Sequence, residues 1–438
     1  MTVMSWSEFA KSMDAHHDDQ EVLDQFMGTL ALSYEHLAFH LKLCFLCFAI
    51  FPEDHAIPLK RLILSWIAEG YIERVDNMSL EDVAMSYLMD LVDRNLVIIA
   101  KKWSNGEVKA CSVHDMLRDL CIKKFKEDES FRVLHLYKWV HDNNSSNLQC
   151  WSRHHSIQTL CVHSHCSCGA NFHEHSCAPY IRIPLHCGSR LSLYRFLRLL
   201  DLNDVTFHGF PTLALQLVHL KYLALRVKRV GRHRLLIYSL WNLETFILRH
   251  GGETDLILGR GIWKMAKLRH LYVYPSFAIE MPCDCFPNSL LLDDMQTMTT
   301  LKFSFLIQEV LARTPNIRKL GIYLNEKDSL SLLDFAGLNH LETLEINWFS
   351  TLYSKVPVGI PNHKTFPPNV KKLTLTTGCL EWKDMTIIGL LPNLEVLKVR
   401  YNCFSGPVWE TCDGGFCNLK FLELCNLDFK QWISSDSD

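Results

Sequence analysis

The 438-residue sequence predicts an α+β fold: a helical, winged-helix-like domain followed by an α/β leucine-rich-repeat solenoid. Three observations predict it. Apolar residues recur at helical spacing through the first quarter of the chain, and an Asn105-Gly106 pair then joins two β-prone runs. From residue 157 onward the pattern apolar-x-x-apolar-x-apolar returns at intervals of about two dozen residues.

The first helix is predicted over 19–33, where Val22, Phe26 and Leu30 stand four residues apart. A second is predicted over 35–50, with Leu37, Leu41, Cys44, Phe45 and Phe48 on one face; Phe51-Pro52 ends it, because proline disfavours helix at the residue before it. A third begins at Pro58, carries Leu59, Leu62, Ile63 and Trp66, and meets a C-capping residue at Gly70. A fourth starts at Ser79, with Asp82 in a weak form of the capping box, and runs through Tyr87, Leu88, Leu91 and Val92. The period then changes. Leu96 to Ile99 and Glu107 to Ser112 form a two-stranded wing around Asn105-Gly106. A closing helix carries Met116, Leu117, Leu120 and Cys121, with Asp115 as its expected N-cap.

Val133 to His135 is β-prone and can begin the solenoid, and Asp142 to Asn147 reads as a polar linker. The repeat triplets begin at Ile157, Leu160, Val162 and at Leu197, Leu200, Leu202. From Leu197 the first positions are Leu220, Leu243, Leu268, Met298, Ile317, Leu341, Val370, Leu394 and Leu419. Their spacings are 23, 23, 25, 30, 19, 24, 29, 24 and 25 residues. Chance makes one or two such triplets, not ten in near-register. Each supplies a short strand whose apolar side chains enter a shared core, so the stack is stable only collectively. Intervening positions such as Lys221, Tyr222 and Ala224 are expected on the concave surface.

Composition excludes several function classes. With 45 basic and 48 acidic residues, the net charge of −3 gives no reason to expect a nucleic-acid partner. The opening Met1-Thr2-Val3-Met4 lacks the basic and apolar regions of a signal peptide. The longest apolar run, Leu43 to Pro52, is about half of what a bilayer needs, so no transmembrane segment is expected. These features predict a cytoplasmic chain, with membrane-associated or nuclear pools open, whose 17 cysteines are reduced and pack as small hydrophobes.

Chemistry finds little foothold. Cys161, His163, His165, Cys166, Cys168, His173, His175, Cys177, His186 and Cys187 crowd zinc-capable side chains into one stretch, but the Cys166-x-Cys168 gap is short and no second knuckle follows. A loop inserted between early repeats, with no metal, is the expectation. Leu290 to Asp294 has the form of a magnesium-holding strand end, yet inside the repeats it reads as an inter-repeat segment. No nucleophile elbow or metalloprotease helix occurs, and an enzyme is not expected.

Across 32–125 an ordered series of short motifs carries a resemblance: Leu32-Ser33-Tyr34, His40-Leu41-Lys42, Cys44-Phe45-Leu46, Phe51-Pro52-Glu53-Asp54, Trp66-Ile67-Ala68-Glu69-Gly70 and Val113-His114-Asp115. Together they resemble plant intracellular NB-ARC leucine-rich-repeat disease-resistance proteins of the solanaceous late-blight-resistance type. The resemblance implies a plant immune receptor that acts in the defence response and the hypersensitive response. Its repeats would recognise a pathogen effector or a host guard protein and restrain a nucleotide switch. His114 would be the sensor of bound ADP and Asp115 its neighbour at a helix N-terminus, with Val113 standing where the family's motif has methionine. On this resemblance 1–30 is the remnant of a helical NB-ARC subdomain, 31–125 the winged-helix domain, 126–156 a boundary and 157–438 the repeat domain.

No G-x-x-x-x-G-K-[ST] loop is present anywhere in the chain. The chain therefore resembles the C-terminal part of such a protein, a truncated product or an incomplete gene model. The full-length family binds ADP or ATP; this chain alone is expected to bind neither, and its switch partner would be an NB-ARC domain in cis or in trans. Two competing functions are a winged-helix DNA-binding protein with accessory repeats and a repeat adaptor of a ubiquitin ligase. The first is disfavoured by mixed charge on the candidate recognition helices, the second by the long N-terminal domain.

Overall fold

The computed structural model describes residue 28, residues 32–51, 55–103, 105–127, 133–135 and 159–161, and most of 196–433; short interruptions in the last span include 231–234, 252–255, 283–290, 329–332 and 350–359. Of the predicted helix over 19–33 only residues 28, 32 and 33 are described, all three helical; the linker over 142–147, the Cys/His stretch from His163 to Cys187 and the outer positions of the first triplet, Ile157 and Val162, lie outside the described residues. The chain divides into two compact units: the described residues to 103 with 107–132, and those from 133 onward with 104–106.

Besides the helical residues 28 and 32–35, the described residues of the first unit pack the helices α1 (Phe39–Leu46), α2 (Leu59–Glu69), α3 (Leu80–Asp93) and α4 (Asp115–Glu127) with a small antiparallel sheet. The predicted helix over 35–50 is interrupted. Ala38 adopts ψ 150°, α1 begins only at Phe39, and Cys47–Ile50 tightens into a 3₁₀ turn before Phe51 leaves helical geometry. The tight last turn buries Cys47 to Ile50 in succession, which an α-helix with one apolar face does not do.

Helix α2 starts one residue after Pro58 and ends at Gly70, whose φ of 81° is the left-handed geometry that favours glycine. Pro58 itself belongs to a two-residue strand, β1 (Ile57–Pro58), hydrogen-bonded to β3 (Val108–Ser112), which also pairs with β2 (Ile98–Lys102). The wing is therefore three-stranded, in the order β1-β3-β2. Trp66, Phe45, Phe48, Leu88, Leu117 and Cys121 form its core, each at most 1% exposed. Arg118 ties α4 to the end of the 3₁₀ turn by donating its Nε–H to the Phe51 carbonyl at 2.8 Å.

The second unit is a parallel sheet of thirteen strands laid down largely in chain order. It runs β4 (Val133–His135), β5 (Thr159–Cys161), β6 (Leu199–Phe207), β7 (Tyr222–Val227), β8 (Thr245–His250) and β10 (His270–Ile279), with β9 (Leu256–Leu258) beside β10. It continues through β11 (Thr297–Lys302), β12 (Lys319–Asn325), β13 (Thr343–Phe349), β14 (Lys372–Thr376) and β15 (Val396–Arg400) to the edge strand β16 (Phe421–Cys425). Corresponding triplet residues are neighbours: Leu200, Leu223, Phe246 and Leu271 stand side by side, as do Leu344, Leu373, Leu397 and Leu422. From Leu197 to Leu397 the middle leucines and their equivalents are fully buried in one continuous core.

One triplet is corrected. The expected Met298, Leu301, Phe303 frame is displaced by three residues. Met298 pairs with Leu271 and Leu320, so it holds the middle position and Met295 opens the repeat. A bulge at Thr299-Thr300 inserts one residue before Leu301, which pairs with Ile322. The spacings of 30 and 19 then become 27 and 22, closer to the 23 to 29 of the other repeats.

An asparagine ladder reinforces the turns. In five repeats the residue before the opening apolar position is asparagine, and its side-chain amide donates to a carbonyl of the preceding turn. Asn242 reaches Val218 and Asn316 reaches Asp293, both at 3.0 Å. Asn369 reaches Asn339 at 2.9 Å, Asn393 reaches Pro368 at 3.0 Å and Asn418 reaches Pro392 at 2.6 Å. No helix among the described residues is long and apolar enough to cross a membrane.

Candidate functional site

Two places merit description as sites. The first is the corner where β3 turns into α4. His114 is half-buried, and its Nδ1 accepts the Met116 amide at 3.4 Å while its carbonyl accepts the Arg118 amide at 3.0 Å. The N-cap is therefore His114 rather than Asp115, because the imidazole reaches the amide two residues on. Asp115 is instead the first residue of α4 and is exposed. Accepting at Nδ1 places the ring proton on Nε2, which makes the ring a donor at its other edge. The imidazole brings one hydrogen-bond donor to this corner and the exposed Asp115 one carboxylate, and the described residues around them include no loop of backbone amides that could cradle phosphates.

The second place is the sheet face opposite the leucine core. Side chains alternate along each strand, so the residues between the leucines point away from it. Tyr222 and Ala224 do so but are buried, closed over by their neighbours on adjacent strands. The Tyr222 hydroxyl donates to Asp201 Oδ2 at 3.4 Å. Lys221 pairs with Glu244 at 3.0 Å. Farther along the face Lys319 pairs with Glu345, and Glu423 takes both Arg400 at 2.6 Å and Lys398 at 3.3 Å. The Arg400 hydrogen bond holds the Glu423 carboxyl below its ordinary pKa against a smaller opposing effect of burial. Strand-to-strand charge pairing is thus the rule on this face.

Midway along it lies an open recess of about 550 Å³, lined by Tyr274, Pro275, Thr300, Tyr323, Asn347 and Trp348 among others. The bulge creates it: Thr300 adopts a φ of 56° and its hydroxyl donates to the carbonyls of Val273 and Thr299. Space for the bulge comes from Gly321, where an added Cβ would stand 2.8 Å from the Thr300 backbone nitrogen. The recess escaped the sequence reading, although Gly321 in a strand interior was a legible signal of a bulge or close backbone approach.

The described cysteines Cys44, Cys47, Cys111, Cys121, Cys403, Cys417 and Cys425 are free thiols, and the first five are buried. Burial pushes the Cys44 and Cys121 thiols well up and Cys111 to about 12, so none of these three is a nucleophile near neutrality. Of the Leu290 to Asp294 segment, Leu292 is buried in the repeat core and its amide bonds to the Arg313 carbonyl, as an inter-repeat turn does.

Comparison with known proteins adds to this geometry. Residues 50–121 match the winged helix domain of disease resistance proteins. The putative late blight resistance protein homolog R1B-16 of Solanum demissum is 32% identical over 459 residues, covering 99% of this chain and 33% of that protein. Late blight resistance protein R1-A of the same species is 31% identical over 466 residues, covering 99% and 34%. The chain spans about a third of the length of the curated relatives it matches. A solved structure, the plant peptide hormone receptor RGFR1 in complex with RGF2, covers 55% of this chain and 37% of its own at 17% identity, with a TM-score of 0.34.

Proposed function

We propose that this chain, similar to the late blight resistance proteins over the third of their length that it spans, is the sensing and restraining part of a plant immune receptor. The observation that carries this reading is the kinship along 99% of the chain, winged helix and repeats together. The repeat face recognises a pathogen effector or a host guard protein. The winged-helix unit contacts a nucleotide-binding half supplied in cis or in trans, where the His114 Nε2–H donates to bound ADP and Asp115 flanks it. Binding of the partner shifts the population from a restrained to an active state by its differential affinity for the two. The protein is a switch, not an enzyme, and acts in the cytoplasm, with membrane-associated or nuclear pools.

The test has two arms. Calorimetry on the 438-residue chain alone is expected to detect no ADP binding at micromolar concentration. Co-expression with the P-loop half of a late blight resistance relative is expected to yield a complex that retains ADP, and retention should fall on His114→Ala. Micromolar ADP binding by the chain alone, or a complex indifferent to His114, overturns the nucleotide-sensor role. Failure of the two halves to associate overturns the restraint role.

A further inference from the structure

Two arginines break the charge-pairing rule of the repeat face. Arg226 on β7 and Arg249 on β8 are register partners on adjacent parallel strands, roughly 4.8 Å apart along the hydrogen-bonding direction. Neither has a carboxylate within ion-pair distance among the described residues. Arg249 lies over the Tyr274 ring at 5.9 Å, and the Arg226 Nε–H is buried without a hydrogen-bond partner. Asp204 acts on Arg226 only at longer range, whereas burial and then the neighbouring Arg249 charge hold its pKa below the ordinary value. Like charges facing each other across strands are destabilising, and an anion seated between them would relieve the repulsion.

The next register position after Arg249 is Tyr274, a wall of the recess. A cationic pair therefore adjoins, on one face, a recess walled by the rings of Tyr274, Tyr323 and Trp348 together with Glu345 and Asn347. We propose that Arg226 and Arg249 form a carboxylate-binding site whose occupant is an acidic peptide segment, lying across the strands with an aromatic or aliphatic side chain in the recess beside Tyr274. This rests on the reading of the repeat face as a recognition surface and names the chemistry of its partner.

Charge decides against a polyanion. A nucleic acid tracking the face would meet Glu244, Glu345 and Glu423 within a few strands, on a chain of net charge −3. A short segment whose carboxylates sit at the arginines brings only its uncharged side chain near Glu345, which lines the recess and is paired with Lys319. The recess begins one strand beyond Arg249 and extends over several more. An extended peptide therefore spans from the arginines to its middle in roughly four residues.

The test is selection of a phage-displayed decapeptide library on the 438-residue chain, followed by fluorescence anisotropy of the selected peptides. Enrichment of Asp or Glu about four residues from an aromatic or aliphatic residue is expected. Replacing those acids by amides should weaken binding about tenfold or more. Arg226→Gln with Arg249→Gln should abolish that discrimination while leaving the melting temperature unchanged or raised. Lys398→Gln with Arg400→Gln, on the same face, should leave it intact. Selected peptides without acidic bias, or acid discrimination that survives in the double arginine variant, overturn this inference alone. Millimolar inorganic phosphate displacing the peptides more effectively than acetate assigns the arginines to phosphate and overturns the carboxylate assignment. No selectable peptide at all overturns the recognition reading along with it.

Discussion

Gly321 and Thr300 are complementary across two strands: the missing side chain of one is the space occupied by the left-handed backbone of the other. Gly321→Ala places a Cβ 2.8 Å from backbone that cannot rotate away. We expect a loss of about 1–3 kcal/mol, the range of overpacking in a filled interior, read as a lower urea midpoint. An unchanged midpoint would show that the bulge relaxes freely.

The displaced repeat frame makes a second prediction. Met295 is fully buried, whereas Phe303, which the triplet pattern places in the core, is only partly covered. Met295→Ala should lower stability by about 2–5 kcal/mol, and Phe303→Ala by less despite the larger side chain removed. The reverse order in chemical denaturation would restore the frame read from sequence.

His114 has a capping role separable from any role toward a nucleotide. Its Nδ1 holds the Met116 amide, so His114→Ala should cost roughly 0.5–2 kcal/mol in thermal unfolding of the first unit, and His114→Asn should recover most of it. In the complex with a nucleotide-binding half, both variants should lose ADP retention equally. Equal loss of stability in both variants would instead refute the cap.

Buried thiols set an alkaline limit on the first unit. Cys44, Cys111 and Cys121 have folded-state pKa values raised by burial, Cys111 to about 12, against about 8.5 in the unfolded chain. Below that value both states are protonated and the contribution is complete. Above it only the unfolded state releases protons, so stability falls as pH rises from about 8.5 toward 12, by up to about 1.4 kcal/mol per pH unit for each thiol. Melting between pH 8 and 10 should show the decline, and Cys121→Ala should flatten its slope. A slope identical in the variant would exclude the thiol as its source.

The leucine periodicity was legible because every repeat reuses the same three core positions, and the parallel sheet follows from stacking them. Where it misled, the cause is local. Met298, Leu301 and Phe303 mimic the triplet in the wrong frame because the Thr299-Thr300 bulge separates two core residues that a regular strand holds closer. The interruption at Ala38 was hidden by apolar residues that suit either a helix or a tight turn. The capping role of His114 was hidden by Asp115, a better capping residue in general, placed one position too late. The arginine pair could not be read at all. Arg226 and Arg249 lie 23 residues apart, and their lack of carboxylate partners among the described residues is a property of the folded register.

The bulge also constrains how this solenoid can change by unequal crossing-over. Most rungs meet their neighbours through the same leucine-to-leucine contact, so a duplicated or deleted unit joins its new neighbours without a clash. The rung of Thr300 and the rung of Gly321 are the exception: a breakpoint between them sets a protruding backbone against a side chain. Those two units should be inherited as a block, and chimaeras cut at that junction should fold worse than chimaeras cut one rung away.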